Sequence, residues 1–520
     1  MGSAKDMSVD RSITVGADRG RTPRPAAEPT LNAGADFLHL DVGQAPPGGR
    51  ATWLTDRLRR AIADGVIPIG SRLPATRTLA ADLGVSRGVV VEAYQRLMED
   101  GHVAGRGRAG TRVVASALTA TNAVAEPAEP PGDASPARVV DPAALFPDAP
   151  GTDVFDTVRT IPAHIDLTPG VPDLAAFPRA DWLRAEKAVL GRLVAADLGY
   201  GDPCGTPALR RAVAGWLARN RGITVDPAEV IITTGVSQAL GLLAQVLRDD
   251  GVTTVGVEDP GSLGVRQHLD NWRLTTVPIP VDTAGVRVDE LTASGVPAVM
   301  LTPAHQFPTG AVLDGERRRQ LAGWTRAGGL VIEDDYDAEH RYDRPPVPAL
   351  RATLPERVCY AGSVSKLLAP ALRIGWLLVP RRYRDAVVAA KRNADLGNAV
   401  LPQLVLAELI TSGAFERQLR LLRRRHVRRR DAMTAALARH LPEATVHGAA
   451  AGLHLTVTLD SGVVDTELAA AALARGVKVQ PLSWHCLRPY RPGLVLGYAA
   501  NTASAIDAGI ATVAAAQHGG

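Results

Sequence analysis

A lysine in the second half of the 520-residue sequence lies in a setting suited to covalent chemistry on a carbonyl group. Lys366 ends the segment Ser-Val-Ser-Lys, shortly after the apolar run 358–361. An amine that follows a strand and a few small residues can form a Schiff base with an aldehyde. Arg373 comes seven residues later, and its guanidinium suits an anionic group such as a phosphate. Lys366 is therefore the predicted reactive amine, and Arg373 is its predicted anion-binding neighbour.

A carboxylate and a phenol follow another apolar run. Asp334 comes directly after residues 330–333, and Tyr336 lies two residues further on. Open α/β sheets bind ligands at the carboxyl ends of their strands, so we expect both side chains at a binding site. Asp334 could keep a pyridine nitrogen protonated, and Tyr336 could donate a hydrogen bond to a phenolate oxygen.

Two loops at strand ends complete the predicted site. One turns through Gly235 from an apolar strand into a helix, and free backbone N–H groups at a helix start bind phosphate. The other, residues 302–310, carries His305 and should line a ring. An amine, a carboxylate, a phenol and a phosphate cradle are what pyridoxal 5'-phosphate (PLP) requires from a protein. PLP is therefore the predicted cofactor, with further contacts from Val236, Ser237, Ser363 and Ser365.

The elements that position these residues follow an α/β pattern. From Ile165 onward, helical patterns alternate with short Val- and Ile-rich runs, which is typical of a mostly parallel sheet covered by helices. After about residue 402, a long Arg-rich helix and another α/β segment predict a smaller C-terminal subdomain. Eight arginines within residues 417–430 are interpreted as the solvated face of that helix, and a nucleic-acid patch is the alternative.

A different pattern occupies the N-terminal part. Leu54, Leu58 and Ile62 recur at helical spacing, a short helix is predicted over 75–83, and Ser86 is suited to cap a third helix. Residues 101–114 alternate apolar and small side chains, as in a two-stranded wing. The pattern predicts a mainly α winged helix-turn-helix, whose third helix would enter the major groove of DNA.

The charge of this region agrees with a DNA partner. Residues 52–114 contain ten arginines, no lysine and six acidic residues, a basic surplus suited to the phosphate backbone. A solvated arginine face is the alternative, and we prefer it for Arg59, Arg60 and Arg112. An arginine at the start of the third helix can bind guanine with two hydrogen bonds. The side chains of this pattern that could reach DNA are Arg77, Ser86, Arg87, Arg106, Arg108 and Thr111, and the family resemblance described below implies that they contact it.

Length and composition bound the remaining expectations. With 46% hydrophobic and 22% charged residues, the chain is not disordered overall. Its three cysteines are widely spaced, which predicts a reducing compartment and no metal site. We recognise no signal peptide and no apolar run that could span a bilayer, so a cytoplasmic protein is expected. The predicted order is a flexible tail (1–36), the DNA-binding domain (37–114), an Ala- and Pro-rich linker (115–160) and the PLP-binding domain (161–520), with a large domain of about 190–400 and a small domain of about 401–520 plus an N-terminal arm.

Several of these motifs together resemble a known family. Residues 70–101 resemble the winged helix-turn-helix of the GntR family. With Glu-Asp-Asp-Tyr-Asp, His-Gln-Phe-Pro-Thr-Gly and Ser-Lys followed by Leu-Arg, the chain from about Leu54 onward is similar to the MocR (GabR-like) regulators. The resemblance implies a GntR head joined to a fold-type I aminotransferase-like domain, PLP as ligand, promoter DNA as target and a head-to-tail homodimer. It also implies that Tyr200, in Tyr-Gly-Asp-Pro-Cys-Gly, reaches the phosphate site of a partner subunit.

The sequence departs from the pattern of working aminotransferases at two positions. Ser262 stands where an aromatic side chain usually stacks on the pyridine ring, and Val495 stands where a carboxylate-binding arginine is expected, with Arg491 as the nearest substitute. Both departures weaken amino-acid turnover more than PLP binding. We therefore expect a transcription regulator that senses PLP or an amino compound, and the missing arginine fits the subset of the family that controls vitamin B6 synthesis. A working aminotransferase with a DNA-binding appendage, or a pseudo-enzyme that only dimerises the heads, are the alternatives.

Overall fold

The computed structural model describes residues 40, 42–46, 49–64, 66–105, 110–114, 142–342 and 347–518. The predicted tail (1–36), the wing residues Arg106 and Arg108, and residues 115–141 of the predicted linker lie outside these ranges. The chain divides into two compact units, one of residues 1–94 and 103–119 and the other of residues 95–102 and 120–520. None of the helices in the described ranges combines the length and the apolar character that crossing a bilayer requires.

The N-terminal unit contains a helix-turn-helix and a wing. Its elements are α1 (Arg50–Ala63), α2 (Thr76–Asp82), the first part of α3 (Arg87–Glu99), β1 (Val103–Gly105) and β2 (Thr111–Val113). The predicted apolar stripe of α1 forms the core, because Leu54, Leu58 and Ile62 are all buried. Gly84 has a φ of +63° between α2 and α3, a conformation that glycine adopts without strain and that allows the tight turn. The wing strands pair antiparallel.

The second unit has an α/β architecture. In chain order its elements are α4 (Val154–Thr160), β3 (Ile165–Asp166), α5 (Arg179–Leu190), α6 (Pro207–Arg221), β4 (Ile231–Thr233), α7 (Val236–Asp249), β5 (Thr254–Asp259), α8 (Leu263–Asn271), β6 (Thr275–Asp282), β7 (Gly285–Val286), α9 (Val288–Ser294), β8 (Ala298–Leu301), α10 (Gly315–Arg326), β9 (Leu330–Asp335), α11 (Leu350–Thr353), β10 (Val358–Ser363), β11 (Gly375–Leu378), α12 (Arg381–Asp395), α13 (Val400–Thr411), α14 (Ala414–His440), β12 (Thr445–His447), β13 (His454–Thr458), α15 (Asp465–Ala474), β14 (Val477–Lys478), β15 (Gln480–Pro481), β16 (Gly493–Gly497) and α16 (Ala503–His518).

The large domain is built on an eight-stranded sheet in the order β4-β11-β10-β9-β8-β5-β6-β7. The pairs from β10 through β6 are parallel, whereas β11 and the edge strand β7 run antiparallel to their neighbours. Parallel pairs require crossover connections, which the intervening helices supply. The central strands are buried along nearly their whole length, as expected for a sheet covered on both faces. The predicted mostly parallel sheet is confirmed.

The small domain is built on the four-stranded sheet β12-β13-β16-β15, and α14, α15 and α16 contribute to its core. Its boundary differs from the predicted one near residue 401. Val405 and Ile410 of α13 belong to the core of the large domain, together with Phe415 at the start of α14, whereas Met433 and Leu437 further along α14 belong to the small domain. The long helix α14 therefore joins the two domains.

The end of the predicted linker is also folded. Residues 142–160 contain the 3-10 helix Pro142–Leu145 and α4, and they bury Leu145, Phe146, Val154 and Val158 in the small-domain core. Phe146 stacks on Trp484 with ring centroids 5.4 Å apart. The indole Nε1 of Trp484 donates a 2.9 Å hydrogen bond to the Pro147 carbonyl oxygen. The prediction of a linker up to residue 160 is wrong for this segment, which is anchored by tertiary packing.

Candidate functional site

The carboxyl ends of the central strands meet at one edge of the large sheet. β5, β8, β9 and β10 are parallel neighbours. β4 runs in the same direction, because β11 pairs antiparallel with both β4 and β10. The predicted cofactor residues at or just after these strand ends therefore lie along a common edge: Gly235, Val236, Ser237, His305, Asp334, Tyr336, Ser363, Ser365 and Lys366.

Lys366 follows β10, and its amine is held by the backbone of the N-terminal arm. Its Nζ donates a hydrogen bond to the Gly170 carbonyl oxygen. Gly170 has a φ of +86°, and a Cβ there would lie 3.2 Å from Nζ, so glycine lets the backbone approach the amine. Burial lowers the pKa of Lys366, while the charges of Asp334 and Asp337 oppose this shift. A lowered pKa leaves more of the amine neutral, the form that attacks an aldehyde.

Asp334 is the penultimate residue of β9, and one of its oxygens lacks a partner among the described residues. Burial, followed by the charges of Asp335 and Asp337, raises its pKa from 3.8 to about 7. Its Oδ1 is buried without a hydrogen-bond partner among the described residues. Buried carboxylate oxygens are normally satisfied, so this oxygen suits a donor from a ligand, such as the N–H of a protonated pyridine. Asp334 and Lys366 thus fit the two ends of a PLP ring.

Tyr336 lies beside His305 at the same edge. Its hydroxyl donates a 3.1 Å hydrogen bond to the His305 carbonyl oxygen and lies 3.1 Å from His305 Nδ1. His305 Nδ1 is also 2.8 Å from Asp337 Oδ2. Burial, then the charges of Asp337 and Asp334, raises the pKa of Tyr336 well above its usual value, so the phenol keeps its hydrogen and can donate it.

Arg373 and the start of α7 form a candidate anion cradle. Gly235 precedes α7 with a φ of +92°, and a Cβ there would lie 3.4 Å from the Arg373 guanidinium. The start of α7 and the Arg373 guanidinium therefore lie close together, and free backbone N–H groups at a helix start together with a cation suit a phosphate. Ser363, the last residue of β10, is buried, and its Oγ accepts a 3.4 Å hydrogen bond from the Ser365 backbone N–H.

A polar network behind the cradle was not recognised in the sequence. Gln238 accepts a 2.9 Å hydrogen bond from the Thr234 backbone N–H and donates a 2.6 Å hydrogen bond to Asp395. Lys391, fully buried, contacts the same Asp395 at 2.9 Å. This network joins α7 to α12 and fixes the turn before Gly235. Its residues are 157 positions apart in the chain, so local sequence patterns carry no signal for it.

The histidines near the site form hydrogen bonds among protein groups. His305, Asp337 and His454 bring one donor or acceptor atom each within 4.8 Å of one another. His305 is bonded to Asp337, and His454 Nε2 lies 3.2 Å from the Pro308 carbonyl oxygen. We interpret this group as a hydrogen-bonded cluster that supports the loop 302–310.

The two positions that depart from the aminotransferase pattern have structural roles. The Ser262 hydroxyl caps α8 by accepting a 3.3 Å hydrogen bond from the Val265 backbone N–H. Val495 is buried in β16, paired with Thr456 and Gln480. Arg491 is exposed, and its charge contributes, after burial, to lowering the pKa of His447. Within the described ranges, no hydrogen bond or ion pair joins Ser262, Val495 or Arg491 to Lys366.

Tyr200 stands apart from the site of its own chain. Its side chain is 96% exposed, and Leu198 beside it is 73% exposed. Leu183, Leu190 and Val194, on and just after α5, are also more than half exposed. These exposed apolar side chains all lie within residues 183–200 of the chain.

The predicted DNA contacts lie at the starts of two helices and of the wing. Arg77 is exposed in the first turn of α2, and Ser86 and Arg87 are exposed where α3 begins. Thr111 opens β2, and its carbonyl oxygen accepts a 2.8 Å hydrogen bond from the Leu73 backbone N–H. The side chains of Arg77 and Arg87 are therefore available to phosphates or bases.

Comparisons with known proteins agree with both units. A family described as "Bacterial regulatory proteins, gntR family" matches residues 51–113, and "Aminotransferase class I and II" matches residues 164–505. The chain is 27% identical to the solved kynurenine aminotransferase of Pyrococcus horikoshii, with a TM-score of 0.64 over 71% of this chain and 93% of that one. It is 26% identical to LysN, the α-aminoadipate aminotransferase of Thermus thermophilus, with a TM-score of 0.64 over 73% and 96%.

Curated relatives share the whole domain arrangement. The probable rhizopine catabolism regulatory protein MocR of Rhizobium meliloti is 34% identical over 454 residues, which are 86% of this chain and 89% of the relative. The HTH-type pyridoxine biosynthesis transcriptional regulator PdxR of Corynebacterium glutamicum is 31% identical over 452 residues, 86% and 91% of the two chains. The chain therefore belongs to the MocR family of HTH-type transcriptional regulators, in which a GntR-type winged helix precedes a body with the fold of class I and II aminotransferases.

Proposed function

We propose that this regulator binds PLP at the sheet edge around Lys366 and that PLP, alone or with an amino compound, changes its affinity for promoter DNA. The observation that carries the proposal is the pairing of an amine of lowered pKa with the unpartnered oxygen of Asp334 along one edge. An amine and a carboxylate at opposite ends of a ring site are what PLP requires.

Each predicted site residue has a role in this proposal. Lys366 would hold the aldehyde carbon of PLP as a Schiff base, Asp334 would accept the pyridine N–H, and Tyr336 would donate to the phenolate oxygen. His305 would line the ring. When bound, PLP acts as an electron sink for an attached amino compound. The phosphate contacts are Arg373, Gly235, Val236, Ser237, Ser363 and Ser365.

The apolar surface around Tyr200 supports a homodimer with a head-to-tail arrangement. Monomeric proteins rarely leave a contiguous group of large apolar side chains open to water. Leu183, Leu190, Val194 and Leu198 flank Tyr200 on this surface. In a dimer that covers it, Tyr200 would reach the phosphate site of the partner subunit.

DNA contact is assigned to the residues predicted from the helix-turn-helix pattern. Arg87 and Ser86 at the start of α3 would face bases, and Arg77 would contact a phosphate. Thr111 and the wing residues Arg106 and Arg108 would contact the backbone or the minor groove.

For the effector, we favour PLP itself. The relative PdxR is named as a regulator of pyridoxine biosynthesis, and Val495 offers no cation for a substrate carboxylate. Arg491 is the weaker candidate for such a group. The alternative is a working aminotransferase, since the solved relatives with a TM-score of 0.64 are aminotransferases. Release of an oxo acid on incubating the PLP-loaded protein with amino acids would favour that alternative.

The test uses the full-length protein and the DNA that flanks its gene. PLP should produce a visible absorbance band, and DNA affinity should differ with and without PLP. Lys366→Ala should lose the band and the response to PLP but retain DNA binding, since Lys366 lies outside the winged helix. Arg392→Ala, an exposed change on α12, is the control. A Lys366→Ala variant that keeps the band and the response would contradict the proposal.

A further inference from the structure

A chain of three side chains leads from the edge of the candidate cofactor site into the interior. His305 Nδ1 lies 2.8 Å from Asp337 Oδ2 and 3.1 Å from the Tyr336 hydroxyl. His305 and Asp337 are each only 1% exposed. Asp337 is not among the predicted cofactor contacts, and the roles proposed above do not use it.

We propose that Asp337 is a positioning residue, which acts through the imidazole of His305 to direct the hydroxyl hydrogen of Tyr336 toward the cofactor. This inference rests on the proposed function, because the acceptor of that hydrogen is the phenolate oxygen of PLP. Asp337 also acts on Tyr336 directly, because its charge and a side-chain hydrogen bond contribute to raising the pKa of the phenol.

The contact between Asp337 and His305 fixes the tautomer of the imidazole. An ionised carboxylate only accepts hydrogen bonds, so Nδ1 must carry a hydrogen in order to bond to Asp337 Oδ2. The protonated Nδ1 then cannot accept the hydroxyl hydrogen of Tyr336. That hydrogen is left for the His305 carbonyl oxygen, 3.1 Å away, for the Asp337 carboxylate, whose hydrogen bond contributes to the raised pKa of Tyr336, or for an acceptor on a bound ligand.

Packing holds the imidazole in place while leaving its tautomer to Asp337. Gly452 of the small domain lies so close to His305 Cε1 that a Cβ would overlap the ring, and a Cβ on Gly310 would lie 3.2 Å from Nε2. Nε2 is buried and has no hydrogen-bond partner among the described residues. The ring therefore cannot turn, and only its Nδ1 side makes hydrogen bonds. If Asp337 loses its charge, Nδ1 can become an acceptor and capture the Tyr336 hydrogen.

Substituting Asp337 with asparagine tests this role. Losing the Tyr336 hydrogen bond and losing the negative charge of Asp337 shift the pKa of the nitrogen that joins Lys366 to PLP in opposite directions. The nitrogen that joins Lys366 to PLP is a cation when protonated, and the neighbouring phenolate stabilises it. A hydrogen bond from Tyr336 to the phenolate weakens that stabilisation. Losing this hydrogen bond therefore raises the pH at which the nitrogen releases its proton, whereas losing the negative charge of Asp337 alone would lower it. The variant retains the other titratable groups that face this cluster: Glu258, Asp334, Glu339, His340, Tyr342, Lys366, His454 and Tyr498.

The first measurement is a pH titration of the visible absorbance of PLP bound to the full-length protein. We expect the midpoint to rise by about one pH unit in Tyr336→Phe, the size of one hydrogen bond, and to rise by less in Asp337→Asn, because the lost negative charge acts in the opposite direction. The double variant should shift no further than Tyr336→Phe alone, because both changes remove the same hydrogen bond. Asp385→Asn is the control, since it removes a fully exposed carboxylate on α12. A lowered midpoint in Asp337→Asn, or additive shifts in the double variant, would overturn the inference.

The second measurement needs no cofactor and no variant that might fold poorly. Nitrogen chemical shifts of His305 in the labelled full-length protein distinguish the Nδ1–H tautomer from the Nε2–H tautomer. The Nδ1–H form is expected, and the Nε2–H form would overturn the inference. If PLP gives the wild-type protein no absorbance band, the proposed function fails. The tautomer of His305 can still be measured, and it still tests whether Asp337 fixes the hydrogen on Nδ1.

Discussion

Replacing Gly235 with alanine tests the candidate phosphate cradle through its backbone. Gly235 has φ +92° and ψ 180°, a conformation that is essentially restricted to glycine. A Cβ there would lie 3.4–3.6 Å from the Arg373 guanidinium, which is ordinary van der Waals contact. The backbone conformation therefore sets the magnitude of the effect, ~1–3 kcal/mol of strain.

The strain should appear mainly as weaker PLP binding. The alanine variant can relieve it by rotating the peptide before α7, which turns the N–H groups of Val236 and Ser237 away from the phosphate. Binding PLP then requires the strained conformation to be restored. A strain of this size corresponds to roughly 5- to 150-fold weaker binding.

Absorbance titrations with PLP measure this effect, and thermal unfolding without PLP measures any loss of stability. Gly323→Ala is the matched control, because Gly323 lies within α10 and a Cβ there would meet nothing within 4 Å. Alanine is favoured over glycine in a helix, so this variant should keep its PLP affinity and melt slightly higher. Equal PLP affinities for Gly235→Ala and Gly323→Ala would refute the assignment of the cradle.

Two further predictions concern the DNA head and Asp334. Arg87→Ala should cost about 1–3 kcal/mol of operator discrimination, measured by fluorescence anisotropy as the ratio of specific to non-specific DNA affinity. Arg60→Ala on α1 is the control and should leave that ratio unchanged. Equal ratios for both variants would argue against base contact by Arg87. Burial raises the pKa of Asp334 from 3.8 to about 7, so the folded state binds a proton more tightly than the unfolded state and loses stability as the pH rises through this interval. Asp334→Asn should therefore melt increasingly above the wild type between pH 4 and pH 7 when PLP is absent, and a constant difference in melting temperature would contradict the assigned burial.

The parts of the fold that follow from local patterns could be predicted. The runs at 298–301 and 330–333 are buried strands as expected, because strands covered on both faces are apolar throughout. The positions of Asp334 and Lys366 at strand ends follow from the same runs. Helical spacing likewise identified the core stripe of α1.

The parts that depend on tertiary contacts could not be predicted. Residues 142–160 lack a helical period, yet Phe146 and Val158 are buried against the small domain. α13 follows the large-domain strands in sequence and packs on α5 and α6 of that domain, which a division by chain position misses. Asp337 is the last acidic residue of a run already singled out, but its contact with His305 joins loops 32 positions apart.

The stacking of Phe146 on Trp484 has a mechanical consequence. Directly after Trp484, the His485 carbonyl oxygen accepts a 2.8 Å hydrogen bond from the Gly261 backbone N–H, and His485 Nδ1 accepts one of 3.3 Å from Leu263. The Arg266 guanidinium donates hydrogen bonds to the carbonyl oxygens of both Gly261 and Trp484. Residues 146 and 147 are thus linked, through Trp484 and Arg266, to the loop that contains Ser262. A displacement of this loop would therefore move Trp484 and strain the packing of the small-domain core around Phe146.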